Sequence, residues 1–328
     1  KNPDLLNEWL KGNGFRENLK EKTPRIFTPG MAQESPHIGI LNISDGCLDA
    51  CSFCSTRLVK GKHRSVSPEK ILSEAKRYLE NGCKELWLTG QDTSCYGFDI
   101  GTNLAELAKK ILEQNSGDYK IRLGMGNPRH LEKYLNEMLS VYEDDRIYKF
   151  IHLPVQSGSD SVLQAMGRKH NVNTFRKMAE AFISKFSYFT LSTDIIVGFP
   201  GETREDFEQT CKLISDLKPS ICNITRFVAR PNTVAEKLPN KIPGKEQHYR
   251  SATLSELFQK IALENNLSRV GKTARVLTEK SGHRNGTYIA RDEAYRSIAL
   301  KGNYKPGTWL NVQIEKAETF ALLAKEVL

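Results

Sequence analysis

The stretch HIGILNISDGCLDACSFC, residues 37–54, decides the fold that the sequence predicts. Its first part, residues 37–43, is an apolar run of strand length. Its second part places Cys47, Cys51 and Cys54 in the spacing C-x3-C-x2-C directly after that strand. Thiolates are soft ligands that suit iron–sulfur clusters or zinc. The pattern therefore predicts a strand that runs into a metal-binding loop.

Five more strand-like runs follow, each separated from the next by a helical pattern. They cover residues 84–89, 119–125, 149–153, 190–197 and 221–228. Six strands that alternate with helices favour parallel pairing through right-handed crossovers. We therefore predict an α/β fold, a partial (β/α)6 TIM-like barrel, with a doubly wound sheet as the alternative. In both folds, ligands bind at the carboxyl ends of the strands.

Local signals set the helices and the domain limits. Helical patterns cover residues 68–81, 104–114, 174–186, 205–217 and 245–266. Ser67 is predicted to cap the first of them, and Thr203 with Asp206 resembles a capping box. Short strand-like runs from residue 268 onward, broken by glycines, predict a small antiparallel β-barrel. We expect a core at 37–267, this barrel at 268–328, and a linker or the remnant of a missing N-terminal domain at 1–36.

The cysteine triplet favours an iron–sulfur cluster over zinc. A four-iron cubane held by three cysteines keeps one iron free. That iron can chelate the amino and carboxylate groups of S-adenosylmethionine, and an electron from the cluster then releases a 5′-deoxyadenosyl radical. Phe53 would offer an aromatic surface to the adenine. The alternatives are a structural zinc site completed by His63 and a coincidental spacing.

Polar residues at the ends of other predicted strands are candidates for further cofactor contacts. Gly90 and Gln91 end the second strand, with Asp92 beside them, and an ordinary polar turn is the alternative there. A surface salt bridge is the alternative for Arg168, which could pair with the cofactor carboxylate. The remaining candidates are Gln156 and Ser157 near ribose height and Asp194, a charge within an apolar strand.

Two residues near these loops favour structural roles. His152 lies within a predicted strand, and a satisfied core histidine is the favoured interpretation. Cys95 lies in a loop that faces the site, but we expect it, like the other scattered cysteines, to be mainly structural.

Composition excludes several classes of protein. No apolar run approaches the ~20 residues of a membrane-spanning helix, and no signal peptide opens the chain. Seven cysteines, an odd number, do not fit a secreted disulfide framework. We therefore expect a cytoplasmic protein without a membrane partner, most simply a monomer.

Positive charge concentrates in the C-terminal barrel. Residues 268–328 contain eleven Lys or Arg and six Asp or Glu, a net +5, whereas the whole chain carries +9. Tyr288, Tyr295 and Tyr304 lie among these cations, which suits a nucleic-acid surface; a merely solvated basic face is the alternative. The predicted RNA contacts are Arg284, Arg291, Arg296, Lys301 and Lys305.

Taken together, these segments resemble the radical S-adenosylmethionine (SAM) methylthiotransferases. The resemblance covers residues 37–328, and it is closest to the archaeal and eukaryotic branch that acts on N6-threonylcarbamoyladenosine, at position 37 beside the tRNA anticodon. It rests on residues 42–54, 87–97, 122–128, 152–158 and 193–203. Asn127-Pro128 matches this branch, whereas the bacterial isopentenyladenosine branch tends to have His-Pro.

The resemblance implies a [4Fe–4S] cluster on the three cysteines, S-adenosylmethionine as cofactor, and a C-terminal TRAM domain that binds tRNA. It also implies a second [4Fe–4S] cluster in an N-terminal domain, which carries the sulfur that is transferred. Residues 1–36 contain no cysteine, so we expect that cluster only in the missing domain. The sulfur donor and the electron donor stay unknown. A methylthiotransferase for a ribosomal protein and a zinc-bearing RNA-binding protein without enzymatic activity are the other two hypotheses.

Overall fold

The computed structural model describes residues 36–282 and 284–327, so the predicted linker at 1–36 lies, except for its last residue, outside the described residues. The strands are β1 (Ile38–Asn42), β2 (Ser44–Asp45), β3 (Arg64–Ser65), β4 (Glu85–Thr89), β5 (Lys120–Leu123), β6 (Phe150–His152), β7 (Thr190–Val197), β8 (Ile221–Arg226), β9 (Thr273–Ser281), β10 (Thr287–Arg291), β11 (Ser297–Lys301), β12 (Trp309–Ala317) and β13 (Leu322–Glu326). The α-helices are α1 (Thr56–Lys60), α2 (Pro68–Glu80), α3 (Leu104–Gln114), α4 (Pro128–Leu131), α5 (Leu135–Val141), α6 (Asp160–Ala165), α7 (Val172–Lys185), α8 (Arg204–Leu217) and α9 (Gly244–Leu267). None of the helices in the described ranges is both long enough and apolar enough to cross a membrane.

Six parallel strands form the core in chain order. They make two three-stranded sheets, β1-β4-β5 and β6-β7-β8. At the seam between them, the Tyr148 amide donates to Ile121 O (3.0 Å) and the Gly126 amide donates to His152 O (2.9 Å). A doubly wound sheet reverses its strand order at a switch point. The unbroken order therefore agrees with the predicted partial barrel.

The predicted strands and helices of the core are present, and their predicted ends lie within two residues of the observed ones. The capping box at Thr203 and Asp206 is confirmed. The predicted cap at Ser67 is only partly right. Ser67 occupies the N-cap position of α2, but its side chain makes no capping hydrogen bond, and Pro68 at the first helical position already removes one donor that would need a partner.

The C-terminal region is a closed five-stranded barrel with the order β10-β11-β13-β12-β9. Its interior contains Val276, Ile298 and Leu322, which are completely buried. The predicted barrel is therefore confirmed, except that β11 and β13 pair in parallel while the other pairs are antiparallel; its last strand, β13, was not predicted. The sequence LLAKE of β13 contains no β-branched or aromatic residue, so local propensity gives no sign of a strand.

The small barrel docks at the amino ends of the core strands. The Lys149 amide, just before β6, donates to Glu293 O (2.8 Å). Next to β1, a Cβ added to Gly307 would lie 2.7 Å from the Cβ of His37. The cysteine loop follows β1 and lies at the opposite, carboxyl end of the same strands. The core thus separates the two segments to which the sequence assigns function.

Tyr295 closes the amino end of the half-barrel. Its backbone is left-handed (φ +61°), and its buried ring lies 4.8 Å from the ring of Tyr148 and 5.2 Å from that of Phe150. The guanidinium of Arg122 lies 5.1 Å from the ring centres of both Phe150 and Tyr295. This end of the core is therefore filled, and the carboxyl end is where ligands can enter.

Candidate functional site

The cysteine loop is held in place by its backbone. The Ser52 amide donates to Met166 O (2.8 Å), and the Ala235 amide donates to Ser52 O (2.8 Å). On the other side, the Cys47 amide donates to Gly61 O (3.3 Å). Segments that follow β1, β6 and β8 thus position one loop at the carboxyl end of the core, as the sequence predicted.

The three cysteines are half-buried, and their sulfurs do not all lie within 4.8 Å of one another. Burial raises the pKa of Cys47 to about 11 and raises the pKa of Cys51, although Arg168 opposes the shift at Cys51. Among the described residues, the only three potential ligand atoms within 4.8 Å of one another belong to Asp49, Asp92 and His130. Tetrahedral zinc with bonds of about 2.3 Å would hold the sulfurs about 3.8 Å apart, so the spacing favours a larger group.

His63, the fourth ligand in the zinc alternative, has other partners. Its Nε2 lies 3.0 Å from Ser65 Oγ, and its Nδ1 lies 3.3 Å from Cys95 Sγ. Cys95 is completely buried, and burial raises the pKa of its thiol far above the usual range. These contacts account for Cys95 and His63 as structural residues, without a role in binding a metal.

Asn127 connects the cysteine loop to Arg168. Its Nδ2 donates to Asp49 Oδ2 (2.5 Å), and its Oδ1 accepts from Arg168 Nη2 (3.4 Å). The other terminal nitrogen of Arg168 lies 3.7 Å from Cys51 Sγ. Asn127 is 5% exposed and both of its side-chain ends are engaged, so it positions neighbouring groups and does not face the open mouth.

Asp49 carries a charge between two of the cysteines. Its Oδ1 accepts from Arg129 (2.6 Å), and His130 Nε2 lies 3.3 Å from its Oδ2. Burial opposes ionisation, but His130, Arg129 and Arg168 outweigh it and lower the pKa of Asp49 to about 2. Asp49 therefore stays ionised and fastens the cysteine loop to the segment that follows β5.

The segment after β4 offers unpartnered polar atoms. Gln91 Oε1 and Asp92 Oδ2 are buried and have no hydrogen-bond partner among the described residues. The other oxygen of Asp92 accepts from the Ser94 amide (3.0 Å). Gly90 has a structural explanation, because an added Cβ would lie 2.8 Å from Ser44 Oγ. Gln91 thus keeps a free acceptor for a ligand, whereas Gly90 is required by packing.

In the segment after β6, the side chains of the neighbouring residues Gln156 and Ser157 lie in different environments. Gln156 has a left-handed backbone (φ +79°), a conformation that costs energy outside glycine, and its side chain is half-buried. Ser157 is completely buried; its Oγ accepts from the Ser159 amide (3.2 Å) and lies 3.4 Å from Thr210 Oγ1. The Ser157 hydroxyl therefore faces α8 and has partners there, which gives it a structural explanation in place of the predicted cofactor contact.

Asp194 lies inside the half-barrel with two partners from neighbouring strands. Its Oδ1 accepts from Asn223 Nδ2 (2.7 Å) and lies 2.9 Å from His152 Nε2. Burial opposes ionisation, but these two neighbours lower the pKa of Asp194. His152 is satisfied by Asp194, as the sequence favoured, but it is only half-buried, with 19% of its side chain exposed.

Phe53 packs into a small apolar cluster beside the cysteine loop. Buried members of that cluster include Met166, Phe199 and Phe227. Phe53 itself is half-buried, so part of its ring stays accessible. The packing holds the ring next to Cys54, where the sequence predicted an adenine contact.

Three of the five predicted RNA contacts are engaged within the protein. Arg291 Nε donates to the buried Glu279 (3.0 Å). Arg296 donates to Asn266 Oδ1 and to Ser220 Oγ (both 2.7 Å). Arg291 is thus engaged within the barrel, whereas Arg296 fastens the barrel to the core, so the structure gives both a structural role in place of the predicted RNA contact. Arg284 is exposed but pairs with Glu318 (3.0 Å).

The other predicted RNA contacts remain available. Lys301 and Lys305 are exposed. Tyr288 and Tyr295 are buried, at 4% and 8% exposure, so they cannot serve as stacking surfaces as the sequence suggested. Tyr304 is half-buried and its ring meets that of Tyr288 edge-on.

Sequence reasoning missed Asp49, Arg129 and Asn223. Asp49 lies inside the cysteine motif itself, and a carboxylate placed there needs a counter-charge, which was a usable signal. Arg129 and Asn223 gave no such sign, because only the fold brings the segment after β5 and strand β8 to the cysteine loop and to Asp194.

Comparisons with known proteins agree with this architecture. Residues 41–214 match the radical SAM superfamily, and residues 267–327 match the TRAM domain. The chain is 41% identical to a probable threonylcarbamoyladenosine tRNA methylthiotransferase of Pyrococcus abyssi, over 97% of this chain and 72% of that protein. It is 44% identical to a protein of the same name from Archaeoglobus fulgidus, over 85% of this chain and 65% of that protein.

The chain spans about two thirds of the length of the curated relatives it matches. Among solved structures, coproporphyrinogen III oxidase of Escherichia coli aligns with a TM-score of 0.50 and 14% identity. That alignment covers 89% of this chain and 72% of the other. This likeness bears on the fold alone.

Proposed function

Because the chain belongs to the radical SAM superfamily, and within it to the family of threonylcarbamoyladenosine tRNA methylthiotransferases, we propose that it adds a methylthio group to threonylcarbamoyladenosine in tRNA. The observation that carries the proposal is the cysteine loop at the open end of the half-barrel, beside buried polar atoms without partners. A methylthiotransferase for a ribosomal protein is the weaker candidate, because the relatives are named for tRNA.

The family implies a [4Fe–4S] cluster and S-adenosylmethionine, and the residues fit both. Three half-buried cysteines, whose sulfurs do not all lie within 4.8 Å of one another, suit a cubane that keeps one iron free. Gln91 Oε1 is an unpartnered acceptor that suits an ammonium group. When bound, the two groups supply one-electron cleavage of the sulfonium and a 5′-deoxyadenosyl radical.

The side chains around the cysteines have separate tasks in this proposal. Cys47, Cys51 and Cys54 hold the cluster. Arg168 places a positive charge 3.7 Å from Cys51 Sγ and has an unpartnered, buried Nε. This positive charge suits both the negatively charged cluster and the carboxylate of the S-adenosylmethionine that would bind to it.

The interior of the half-barrel would hold the target base. Asp194 keeps its second carboxylate oxygen free, and His152 and Asn223 fix the orientation of the carboxylate. A fixed acceptor of this kind binds a donor on a substrate or on the cofactor ribose, as the sequence predicted. The filled amino end, with Tyr295 and Arg122, leaves the carboxyl end as the way in.

The test is nucleoside analysis of tRNA by mass spectrometry from cells in which the gene is deleted. We expect the 2-methylthio derivative to disappear and threonylcarbamoyladenosine to accumulate. Complementation with wild type or with the control Cys211→Ala should restore the derivative, whereas Cys51→Ala should not. Unchanged tRNA nucleosides together with a ribosomal protein that has lost a methylthio group would overturn the proposal in favour of the second candidate.

A further inference from the structure

Three segments that flank the cysteine loop form a basic rim around the open mouth. The rim consists of residues 55–62, 167–170 and 226–238. These 25 residues contain eight Lys or Arg and one Glu, a net +7, against +9 for the whole chain. Charge is therefore denser at the rim than in the C-terminal barrel, where sequence analysis placed the RNA contacts.

Backbone hydrogen bonds bring the three segments to the same loop. Lys62 pairs with Cys47 in a parallel bridge. Lys169 follows Arg168, which contacts Cys51 Sγ. The third segment joins the loop through the Ala235 amide and Ser52 O (2.8 Å). All three segments of the rim therefore border the cysteine loop.

The rim cations are free to bind an anion. Six of them are exposed, and none of the six takes part in an ion pair within the ranges 36–282 and 284–327; they are Lys60, Lys62, Lys169, Arg226, Arg230 and Lys237. The rim's one acidic residue, Glu236, already accepts from the Asn232 amide (2.8 Å).

The C-terminal barrel contrasts with the rim, because ion pairs engage many of its cations. The pairs are Arg269–Glu293, Arg275–Asp118, Arg284–Glu318, Arg291–Glu279 and Lys325–Glu315. The net charge of +5 therefore overstates how many cations of the barrel are available to bind phosphates.

The position of the barrel also requires a second contact. The barrel docks at the amino ends of the core strands, and β7 spans eight residues, so the mouth lies roughly 25 Å away at about 3.3 Å per residue. An RNA held by the barrel alone would leave its loop unattached at the mouth.

We propose that the rim is a second RNA-binding surface, which grips the phosphates of the anticodon loop on both sides of the target nucleotide. The inference rests on the proposed function, since it takes tRNA as the substrate. An acidic protein surface is the competing occupant, because Val228 and Val234 stand 74% and 67% exposed in the same segment.

The test uses the full 328-residue chain with two probes, an intact tRNA and an isolated anticodon hairpin of about 17 nucleotides. Arg226→Glu with Arg230→Glu should weaken hairpin binding about tenfold at 0.1 M salt. It should also flatten the slope of log affinity against log salt by about 1.4 to 1.8, because two phosphate contacts are lost. Fluorescence anisotropy measures both quantities.

The matched control is Lys110→Glu with Lys177→Glu, which changes the same charge on the exposed faces of α3 and α7 and should leave hairpin binding unchanged. Equal hairpin affinity for the rim variant and wild type would overturn the rim proposal while the proposed function stands. If wild type binds neither probe at any salt concentration, the tRNA substrate itself is wrong.

Discussion

The two ends of the half-barrel use charged side chains in opposite ways. At the amino end, Arg291 and Arg296 are half-buried and hydrogen-bonded to partners within the protein itself. At the carboxyl end, Gln91 Oε1 and Arg168 Nε are buried without partners. A buried polar atom without a partner costs free energy, so the fold retains it where a ligand completes the bond. Arg122 Nε at the amino end is also buried without a hydrogen-bond partner, but its guanidinium packs against the rings of Phe150 and Tyr295. The contrast therefore lies between Arg291 and Arg296, which are bonded within the protein, and Arg168 and Gln91, which a ligand would complete.

The largest expected effect tests the carboxyl end. Cys51→Ala should abolish the brown colour and the binding of about four irons and four sulfides per chain after anaerobic reconstitution, because the cubane loses one of three ligands. Iron and sulfide analysis measures this. Cys211→Ala, which removes a thiol from α8, should retain both. A colourless wild type that holds one zinc would contradict the cluster.

The next effect tests the amino end. Arg291→Met should lower the free energy of unfolding by about 3–5 kcal/mol, because it leaves the buried carboxylate of Glu279 without its partner. Urea denaturation measures the change. Lys280→Met, an exposed neighbour, is the control and should change stability by less than about 0.5 kcal/mol. If Arg291→Met weakens RNA binding without destabilising the fold, the sequence prediction for Arg291 was right after all.

The pH dependence of stability tests a second buried group at the amino end, the carboxyl of Glu85. Burial raises the pKa of Glu85 from 4.5 to about 7, although Trp87 and Tyr148 donate hydrogen bonds to it. The folded state therefore holds a proton that the unfolded state releases, and stability falls as pH rises from 4.5 to 7. The loss should be on the order of 3 kcal/mol at 1.36 kcal/mol per unit. Urea denaturation at several pH values should show that Glu85→Gln removes this slope; an identical slope in the variant would assign it to other groups.

A smaller effect tests the network behind the cysteines. Asn127→Ala removes one hydrogen-bond partner from Asp49 and one from Arg168, and the expected loss of stability is about 1–3 kcal/mol. The reduced, cluster-bound variant should also cleave S-adenosylmethionine more slowly at unchanged iron content, because Arg168 then keeps only its bond to Pro154 O (2.8 Å) to orient Nη2. Asn285→Ala, on an exposed turn, is the control. Unchanged stability and cleavage would show that the hydrogen bonds of Asn127 are dispensable.

The smallest effect concerns the barrel. Lys301→Glu with Lys305→Glu should weaken intact tRNA three- to tenfold and flatten its salt slope by about 1.4 to 1.8, because both lysines are exposed on the barrel. Binding of the isolated hairpin, which ends at the rim, should not change. Fluorescence anisotropy with both probes distinguishes the contribution of the barrel to RNA binding from that of the rim. Equal weakening of both probes would mean that barrel and rim contact the same part of the RNA.

Much of the fold could be predicted from the sequence, because the strands and helices of the core carry strong periodic patterns and clear ends. The site could be predicted only where its chemistry is local. The cysteine motif is contiguous, but the partners of Asp49 and of Asp194 come from segments 78 and 29 residues away. Charge counting failed at Arg291 and Arg296 for the same reason: composition records a cation, and only the fold shows whether it is already paired.

The seam between the two core sheets has a mechanical consequence. Few backbone hydrogen bonds cross it, and the small barrel spans it. On one side, Arg275 of the barrel binds Asp118, just before β5 (2.5 Å); on the other, Arg296 reaches Ser220, just before β8. The barrel therefore bridges the two sheets and stabilises their association. Amide hydrogens at the seam, such as those of Tyr148 and Gly126, will therefore exchange with solvent faster when the contacts between the small barrel and the two sheets are weakened.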